Sequence, residues 1–348
     1  MILDSASLGL ANSVEALLGE AADGEIKPEL HESVLEISTR PCRNTSEAGE
    51  QLRGLRRQVI ETAERHDLLI GSAGTHPFAM WEDQRISARQ RYRDLVSDLR
   101  WVARQEIIFG LHVHVGMDDA DKAIHVTNGM RVHLPILLAL SANSPFWRAD
   151  ATGLASTRMP IFRAFPRVGV PPFYDGWTDF ERRIDFMRRS RVIDDYTFLW
   201  YDVRPHPNFG TVEIRAMDAQ TRVEHTLALA ALIQAMVREL SVHFEEGRQL
   251  TPYPHEMIDE NRWLAARHGL AGELVDLPEA TTVTAKELGW RLFSRLRDHA
   301  IDLGSVSEFD GLRDILERGN GAQRQQVVYE ANHDLTEVVR EIVEATAA

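Results

Sequence analysis

Residues Trp200 to Arg215 read WYDVRPHPNFGTVEIR. Two β-rich segments, residues 197–204 and 211–217, flank a turn-like segment that contains Pro, Asn and Gly. Strand-forming residues on both sides of such a turn predict an antiparallel hairpin.

The register of this hairpin decides which charged side chains meet. If Arg204 lies opposite Thr211, then Asp202 lies opposite Glu213 on the same face. Two acids directly opposite each other repel, so this register requires a cation nearby. A metal ion would supply it, and so would Arg204 and Arg215, in which case the cluster is a structural salt-bridge network.

A second strand is predicted from the strict alternation over residues 107–116. Residues two apart share a face, so His112 and His114 project together while the aliphatic residues between them pack the other way. Neutral imidazole is a common metal ligand. A pair of hydrogen-bonded histidines beside the core is the competing interpretation.

A third strand is predicted over residues 26–39. Its alternation places Glu32, Val34 and Glu36 on one face. Two carboxylates on one surface are typical of a solvated edge strand, but they also fit a cation site. Together the three strands offer carboxylates, imidazoles and guanidinium groups, the set that magnesium-assisted phosphoryl transfer uses.

Two further segments have weaker signals. Residues 74–78 (GTHPF) place a hydroxyl and an imidazole after a short strand, where a simple turn is the main interpretation. Residues 152–176 are rich in Pro, Gly and Arg without a clear period, which predicts a long ordered loop or lid. Its arginines Arg158, Arg163 and Arg167 are candidates for contact with an anionic substrate.

Composition excludes several classes of protein. The chain has 348 residues and a formal net charge of -14, which disfavours a nucleic-acid partner. Its longest apolar stretches, 134–142 and 226–237, are shorter than the roughly 20 residues that span a bilayer, so no membrane association is expected. The lone Cys42 predicts a cytoplasmic protein without disulfides. Neither a Walker loop nor a G-x-G-x-x-G motif is present.

The order of elements predicts an α+β fold. Helices are expected from residue 45 or 46 to about 66 and within 87–104, with Asp118 or Asp119 capping another. Nearly everything after residue 221 reads as helix. The sequence shows no internal repeat or obvious linker, so residues 1–348 are predicted to form a single domain.

Five motifs in this order resemble the carboxylate–amine ligases of the type 2 glutamate–cysteine ligase family. They are residues 29–37 (ELHESVLEI), 74–78 (GTHPF), 110–116 (GLHVHVG), 141–145 (SANSP) and 204–215 (RPHPNFGTVEIR). The resemblance implies a fold like that of glutamine synthetase, with an antiparallel, saddle-like catalytic sheet flanked by helices. It also implies ATP and Mg²⁺ or Mn²⁺ as cofactors.

The resemblance assigns roles to particular residues. Arg204 and Arg215 would steady phosphate groups as catalytic residues, and His112 would join them in binding the nucleotide. The implied metal ligands are Glu32, Glu36, His114 and Glu213.

The implied reaction joins a glutamate-like acid to an amine such as cysteine through an acyl phosphate. Family members usually open with a G-x-E-x-E strand, which this sequence lacks before Glu29, so an incomplete metal site is expected. A catalytically impaired ATP-binding module is therefore one alternative, and a metal-dependent amidohydrolase is another. A homo-oligomer is left open.

Overall fold

The computed structural model describes residues 1–18 and 25–348 and confirms the α+β fold. Its strands are β1 Ile2–Asp4, β2 Ile26–Pro28, β3 Leu35–Ile37, β4 Leu68–Ile70, β5 Gly110–Gly116, β6 Phe146–Trp147, β7 Asp150–Ala151, β8 Val168–Gly169, β9 Trp200–Tyr201, β10 Val203–His206, β11 Thr211–Asp218, β12 Glu273–Asp276 and β13 Thr281–Thr284. Its α-helices are α1 Val14–Leu18, α2 Thr45–Glu64, α3 Gln90–Leu99, α4 Trp101–Arg104, α5 Ala120–Met130, α6 Leu134–Ser141, α7 Arg158–Phe162, α8 Trp177–Arg189, α9 Val223–Glu245, α10 His255–His268, α11 Ala285–Asp302, α12 Val306–Asp310, α13 Leu312–Arg318, α14 Gly321–Asn332 and α15 Leu335–Ala347.

The central sheet is antiparallel, with the strand order β10-β11-β5. β11 pairs with β5 through Val212 opposite Val115 and Ile214 opposite Val113, and the register shifts after Ile214. At that shift the backbone N–H of Arg215 donates to the carbonyl of Asp202 at 2.7 Å, which links β11 to the chain just after β9. β9 in turn pairs in parallel with β8.

The main core lies between this sheet and the helices. Val212 and Ile214 of β11 are fully buried and pack with residues of α6 and α9. Both apolar stretches identified in the sequence therefore lie in core helices. By length and composition α9 is the one helix of the described ranges that matches a membrane span, and 61% of that window is buried inside the protein. Burial of this extent is typical of a core helix.

Helix starts follow their capping residues. Asn44 caps α2 by accepting from the Glu47 N–H at 3.0 Å, and Asp119 caps α5 by accepting from the Lys122 N–H at 2.8 Å. Each cap satisfies a backbone donor that has no partner within the first turn. The predicted start of α2 and the predicted capping by Asp119 are confirmed.

The single strand predicted over 26–39 is wrong. β2 and β3 form a short antiparallel hairpin in which Lys27 lies opposite Glu36. The chain between them turns away from the hairpin, because the Glu32 N–H donates to the Arg85 carbonyl and the Glu32 carbonyl accepts from the Val14 N–H. Glu32 is therefore in a turn, and the alternation that grouped it with Glu36 does not apply.

The predicted register of the β10–β11 hairpin is also wrong, by two residues. His206 lies opposite Thr211, and Arg204 lies directly opposite Glu213. The turn is tighter than expected because strand pairing continues through Pro205 and His206. A shift of two residues keeps the same side chains on the same face, but it replaces an acid–acid pair by an acid–arginine pair.

Three smaller differences concern segments outside the sheet. Residues 152–176 are ordered, as predicted, but they contain α7 and β8 rather than only loop. The helical C-terminal portion includes the hairpin β12–β13. Ahead of Glu29 the structure has β1, an unpredicted strand that pairs with β4.

Candidate active site

One face of the central sheet carries polar side chains. His112 and His114 project from β5, and their side chains are 35% and 33% exposed. Leu111, Val113 and Val115 pack against the main core on the opposite side. The prediction for the two faces of β5 is confirmed. We call the side of β5, β10 and β11 that carries the two histidines the polar face.

Glu213 lies at the centre of the polar face and its side chain is 3% exposed. Its Oε2 accepts a hydrogen bond from Arg204 Nε at 2.6 Å, and its Oε1 accepts one from a terminal nitrogen of Arg215. His112 Nδ1 and His114 Nε2 lie 3.8 and 3.7 Å from the same Oε1. Burial raises the pKa of Glu213, but Arg215 and Arg204 outweigh it and hold that pKa well below its usual range. Glu213 is therefore an ionised carboxylate.

Both histidines are neutral near pH 7. Burial, assisted by Arg215, lowers the pKa of His112 well below 6.5, and burial likewise lowers the pKa of His114. A terminal nitrogen of Arg215 lies 3.3 Å from His112 Nδ1. Arginine is only a donor, so His112 Nδ1 accepts and the ring proton is on Nε2. His114 Nδ1 lies 3.0 Å from the Thr211 hydroxyl.

A group of acids interacts electrostatically with the arginines of this face. Burial, reinforced by Glu36, raises the pKa of Glu29 to about 7. Burial also raises the pKa of Glu106 to about 8, and Arg158 opposes that rise. Removal from water disfavours the ionised form of both acids, and repulsion between neighbouring carboxylates adds to this effect, so near pH 7 they hold protons that isolated carboxyl groups would release.

Sequence analysis missed Glu29 and Glu106. Glu29 belongs to the quoted motif 29–37, but the assumption of one continuous strand directed attention to Glu32 instead. Glu106 lies just before β5 in a segment without a recognisable motif. The one signal available for Glu106 was an acid next to a strand that carries two histidines.

Arg158 is the arginine of the 152–176 segment that reaches the polar face. Its guanidinium lies against Gly110, where an added Cβ would be 2.5 Å from a terminal nitrogen of Arg158. The same guanidinium donates to the Arg215 carbonyl at 3.3 Å. Within residues 1–18 and 25–348, Arg158 Nε, Arg215 Nε and Glu106 Oε2 are buried without a hydrogen-bond partner. Buried polar atoms of this kind need an explanation, and a bound ligand is one.

The other two arginines of that segment have different partners. Arg163 pairs with Asp259 at 2.7 Å, and Arg167 donates to the Phe198 carbonyl at 3.0 Å. In the GTHPF turn, Thr75 and His76 are buried, with the Thr75 hydroxyl donating to a backbone carbonyl. Residues 74–78 form bends together with an antiparallel bridge between Thr75 and Ile108, so the segment is not the simple turn that was predicted.

Two acids considered from the sequence lie in separate ion pairs. Glu32 Oε2 is 2.9 Å from Arg85 Nε. Asp202, which was expected to face Glu213, instead forms a buried pair with Arg262, Oδ2 to Nε, at 2.5 Å. Asp202 lies between β9 and β10 and outside the paired hairpin, so strand alternation does not place it on the polar face.

The predicted metal-ligand set is not gathered into one cluster. In the part of the chain that the structure describes, no group of three or more His, Cys, Asp or Glu side chains is close enough to hold a metal ion. Glu213 and His114 are neighbours, whereas Glu32 contacts Arg85. The roles of Glu32, Glu36, His114 and Glu213 as ligands remain predictions.

A cavity of about 440 Å³ lies elsewhere, beside α8, between Tyr174, Leu199 and Tyr201. None of the acids, histidines or arginines of the polar face lines it. The polar face is identified as a candidate site by its chemistry. The antiparallel setting of His112 and His114 also differs from the parallel barrel that an amidohydrolase requires.

Comparison with known proteins agrees with this geometry. The model of glutamate-cysteine ligase family 2 matches residues 5–345. A protein of Solibacter usitatus, assigned by name as a glutamate–cysteine ligase 2, is 43% identical over 321 residues, which are 92% of this chain and 83% of the relative. A protein of Rubrobacter xylanophilus, assigned as a glutamate–cysteine ligase 2-1, is 40% identical over 348 residues, which are 99% and 92% of the two chains.

Two solved structures share the fold at low sequence identity. Glutamate–cysteine ligase of Francisella tularensis, in complex with AMP, has a TM-score of 0.72 and 14% identity, over 100% of this chain and 86% of that one. A bifunctional glutathione synthetase of Pasteurella multocida has a TM-score of 0.60 and 14% identity, over 93% and 48%.

The fold and the family match place the protein among the ligases that form carbon–nitrogen bonds. More specifically, the chain belongs to glutamate–cysteine ligase family 2.

Proposed function

We propose that this protein is an ATP-dependent carboxylate–amine ligase of the glutamate–cysteine ligase type, which works through an acyl phosphate. The main support is an ionised Glu213 held by Arg204 and Arg215 beside two neutral histidines. Carboxylates and arginines in contact are the groups that phosphoryl transfer needs to bind cations and neutralise phosphate. AMP in the similar Francisella tularensis enzyme supports an adenine nucleotide as substrate.

The acids on and around the polar face are of the kind that bind a magnesium or manganese ion. Both ions prefer carboxylate oxygens. Burial, together with repulsion from Glu36, raises the pKa of Glu29 to about 7, and a divalent cation between the two acids would relieve that repulsion. As the structure has them, these side chains are not gathered closely enough to hold the ion, so we propose that Glu29, Glu36, Glu213 and one of the two neutral histidines come together around it when it binds. When bound, such an ion would neutralise phosphate charge.

The arginines would carry the first step. Arg158 and Arg215 each keep a buried Nε–H without a partner in the described residues, and we propose that both donate to the γ-phosphate of ATP. A carboxylate oxygen of the acid substrate attacks the γ-phosphorus, and the bond to the β-phosphate oxygen breaks to release ADP. Fixed guanidinium groups reduce the repulsion between these two anions.

The second step forms the amide. The neutral amine attacks the acyl carbon, the carbon–oxygen bond to phosphate breaks, and the departing phosphate takes up the proton that the amine loses. By analogy with the relatives, we propose the γ-carboxylate of glutamate and the amine of cysteine, with γ-glutamylcysteine as product. Water must be kept from the acyl phosphate, which would otherwise hydrolyse.

The test is phosphate release from ATP and magnesium with glutamate and cysteine, in wild type and in Glu213→Gln. We expect amine-dependent release in the wild type and a loss of about 100-fold or more in the variant, because the central carboxylate is neutralised. Glu82→Gln is the matched control, since Glu82 forms a surface pair with Arg148 at 2.8 Å. It should keep wild-type activity.

Each other outcome contradicts a specific part of the proposal. Full activity in Glu213→Gln would show that the polar face does not take part in the reaction. ATP binding without phosphate release, for any pair of amino acids, would contradict ligation and favour an ATP-binding module. Release with an amine other than cysteine would keep the ligase and change its substrate.

A further inference from the structure

The turn between β10 and β11 presents an exposed aromatic ring at one end of the polar face. Phe209 is 70% exposed. Its ring stacks on that of His206, with centroids 4.2 Å apart and an interplanar angle of 13°. An exposed phenyl ring that is already stacked on one side offers its other side to a planar ligand.

The ring is held in place by its neighbours. His206 is buried, and its Nδ1 lies 3.2 Å from the Tyr196 hydroxyl. His114 contacts both rings edge-on, at 5.3 Å from His206 and 5.7 Å from Phe209. Gly210 has a φ of +59°, which allows the tight turn that follows Phe209. The platform formed by Phe209 and His206 is therefore attached to the same strands as the polar face.

The spacing along β11 matches an extended nucleotide. His206 lies opposite Thr211, and Arg215 is four residues further along the strand. At a rise of about 3.4 Å per residue, the platform and Arg215 are separated by roughly 14 Å. This is comparable to the length of a nucleoside triphosphate from its base to its γ-phosphate.

We propose that the purine base of ATP stacks on Phe209, backed by His206, while the triphosphate runs along His114 and His112 to Arg215. This inference rests on the proposed function, since it needs ATP to be the substrate. Base–aromatic stacking depends on the π-face rather than on hydrogen-bond readout, so Phe209 would contribute affinity for any purine nucleotide.

The experiment measures binding of ATP and of inorganic tripolyphosphate, each with magnesium, by titration calorimetry. In Phe209→Ala we expect ATP affinity to fall by about tenfold or more, with tripolyphosphate affinity unchanged. Phe209→Trp should keep ATP affinity, and Phe209→Leu should lose most of it although an apolar side chain remains. Val327→Ala is the matched control, because Val327 is 66% exposed in α14.

The outcomes separate this inference from the function beneath it. Unchanged ATP affinity in Phe209→Ala overturns the stacking site and leaves the ligase proposal intact. An equal loss of tripolyphosphate affinity also overturns it, since Phe209 would then shape the hairpin. If the wild type binds tripolyphosphate but not ATP, or binds neither, the proposed function fails as well.

Discussion

Glu213 shows how single residues on this face depend on their neighbours. Its burial would favour protonation, yet two arginines keep it ionised. Glu29 and Glu106 experience the same burial with less compensation, and their pKa values rise to about 7 and 8. An ionised carboxylate and carboxyl groups with raised pKa values therefore lie close together. A bound cation would be expected to lower the pKa values of Glu29 and Glu106 and so ionise them.

The raised pKa of Glu106 predicts how the free energy of unfolding depends on pH in protein freed of metal by a chelator. The folded-state pKa of Glu106 is raised above its unfolded value of 4.5, so the folded state binds the proton more tightly. Stability from this proton is present below about pH 4.5 and is lost as pH rises toward 8. Each such proton contributes a slope of about 1.4 kcal/mol per pH unit.

Replacing the acid should flatten that slope. We expect Glu106→Gln to lose less stability than the wild type between roughly pH 5 and 8, measured by urea unfolding at each pH. Glu82→Gln serves again as the surface control. A slope in Glu106→Gln as steep as in the wild type would show that Glu106 does not hold the extra proton.

At the scale of elements, the faces of β5 and the β10–β11 hairpin were predicted correctly, whereas the register of that hairpin and the strand over 26–39 were not. Alternation around His112 and His114 fixed the faces of β5, because one side of that strand must pack on the core. The hairpin register failed because Pro205 and His206 look like turn residues yet remain paired. The break within 26–39 was not predicted, because it depends on backbone hydrogen bonds that join Glu32 to Arg85 and to Val14, which are distant in sequence. Arg158 reaches the face through tertiary packing that no local pattern encodes.

The contact between β5 and α7 gives a test at this scale. Gly110→Ala should push the Arg158 guanidinium away, because the new Cβ would be 2.5 Å from its terminal nitrogen. We expect kcat to fall by up to about 100-fold from this displacement, with little change in Tm. Gly116→Ala is the matched control on the same strand face, since its Cβ would meet no heavy atom of the described residues within 4 Å. Equal activity of the two variants would exclude Arg158 from the site.

At the scale of the whole molecule, the negative charge opposes an anionic substrate. The chain carries -14 overall, so attraction for ATP must come from a few nearby groups. Salt screens distant charges beyond about 8 Å at physiological ionic strength, which leaves Arg158, Arg204 and Arg215 to dominate locally. The fold shared at 14% identity with the Francisella tularensis ligase shows that the scaffold tolerates wide sequence change.

An acyl phosphate intermediate would carry a carboxylate oxygen from the acid substrate to the released phosphate. Glutamate labelled with ¹⁸O in its γ-carboxylate would be incubated with ATP, magnesium and cysteine, and the products analysed by mass spectrometry. The mechanism predicts one ¹⁸O atom in each phosphate released, because the attacking carboxylate oxygen leaves with the phosphoryl group. Unlabelled phosphate, or label in AMP instead, would contradict it.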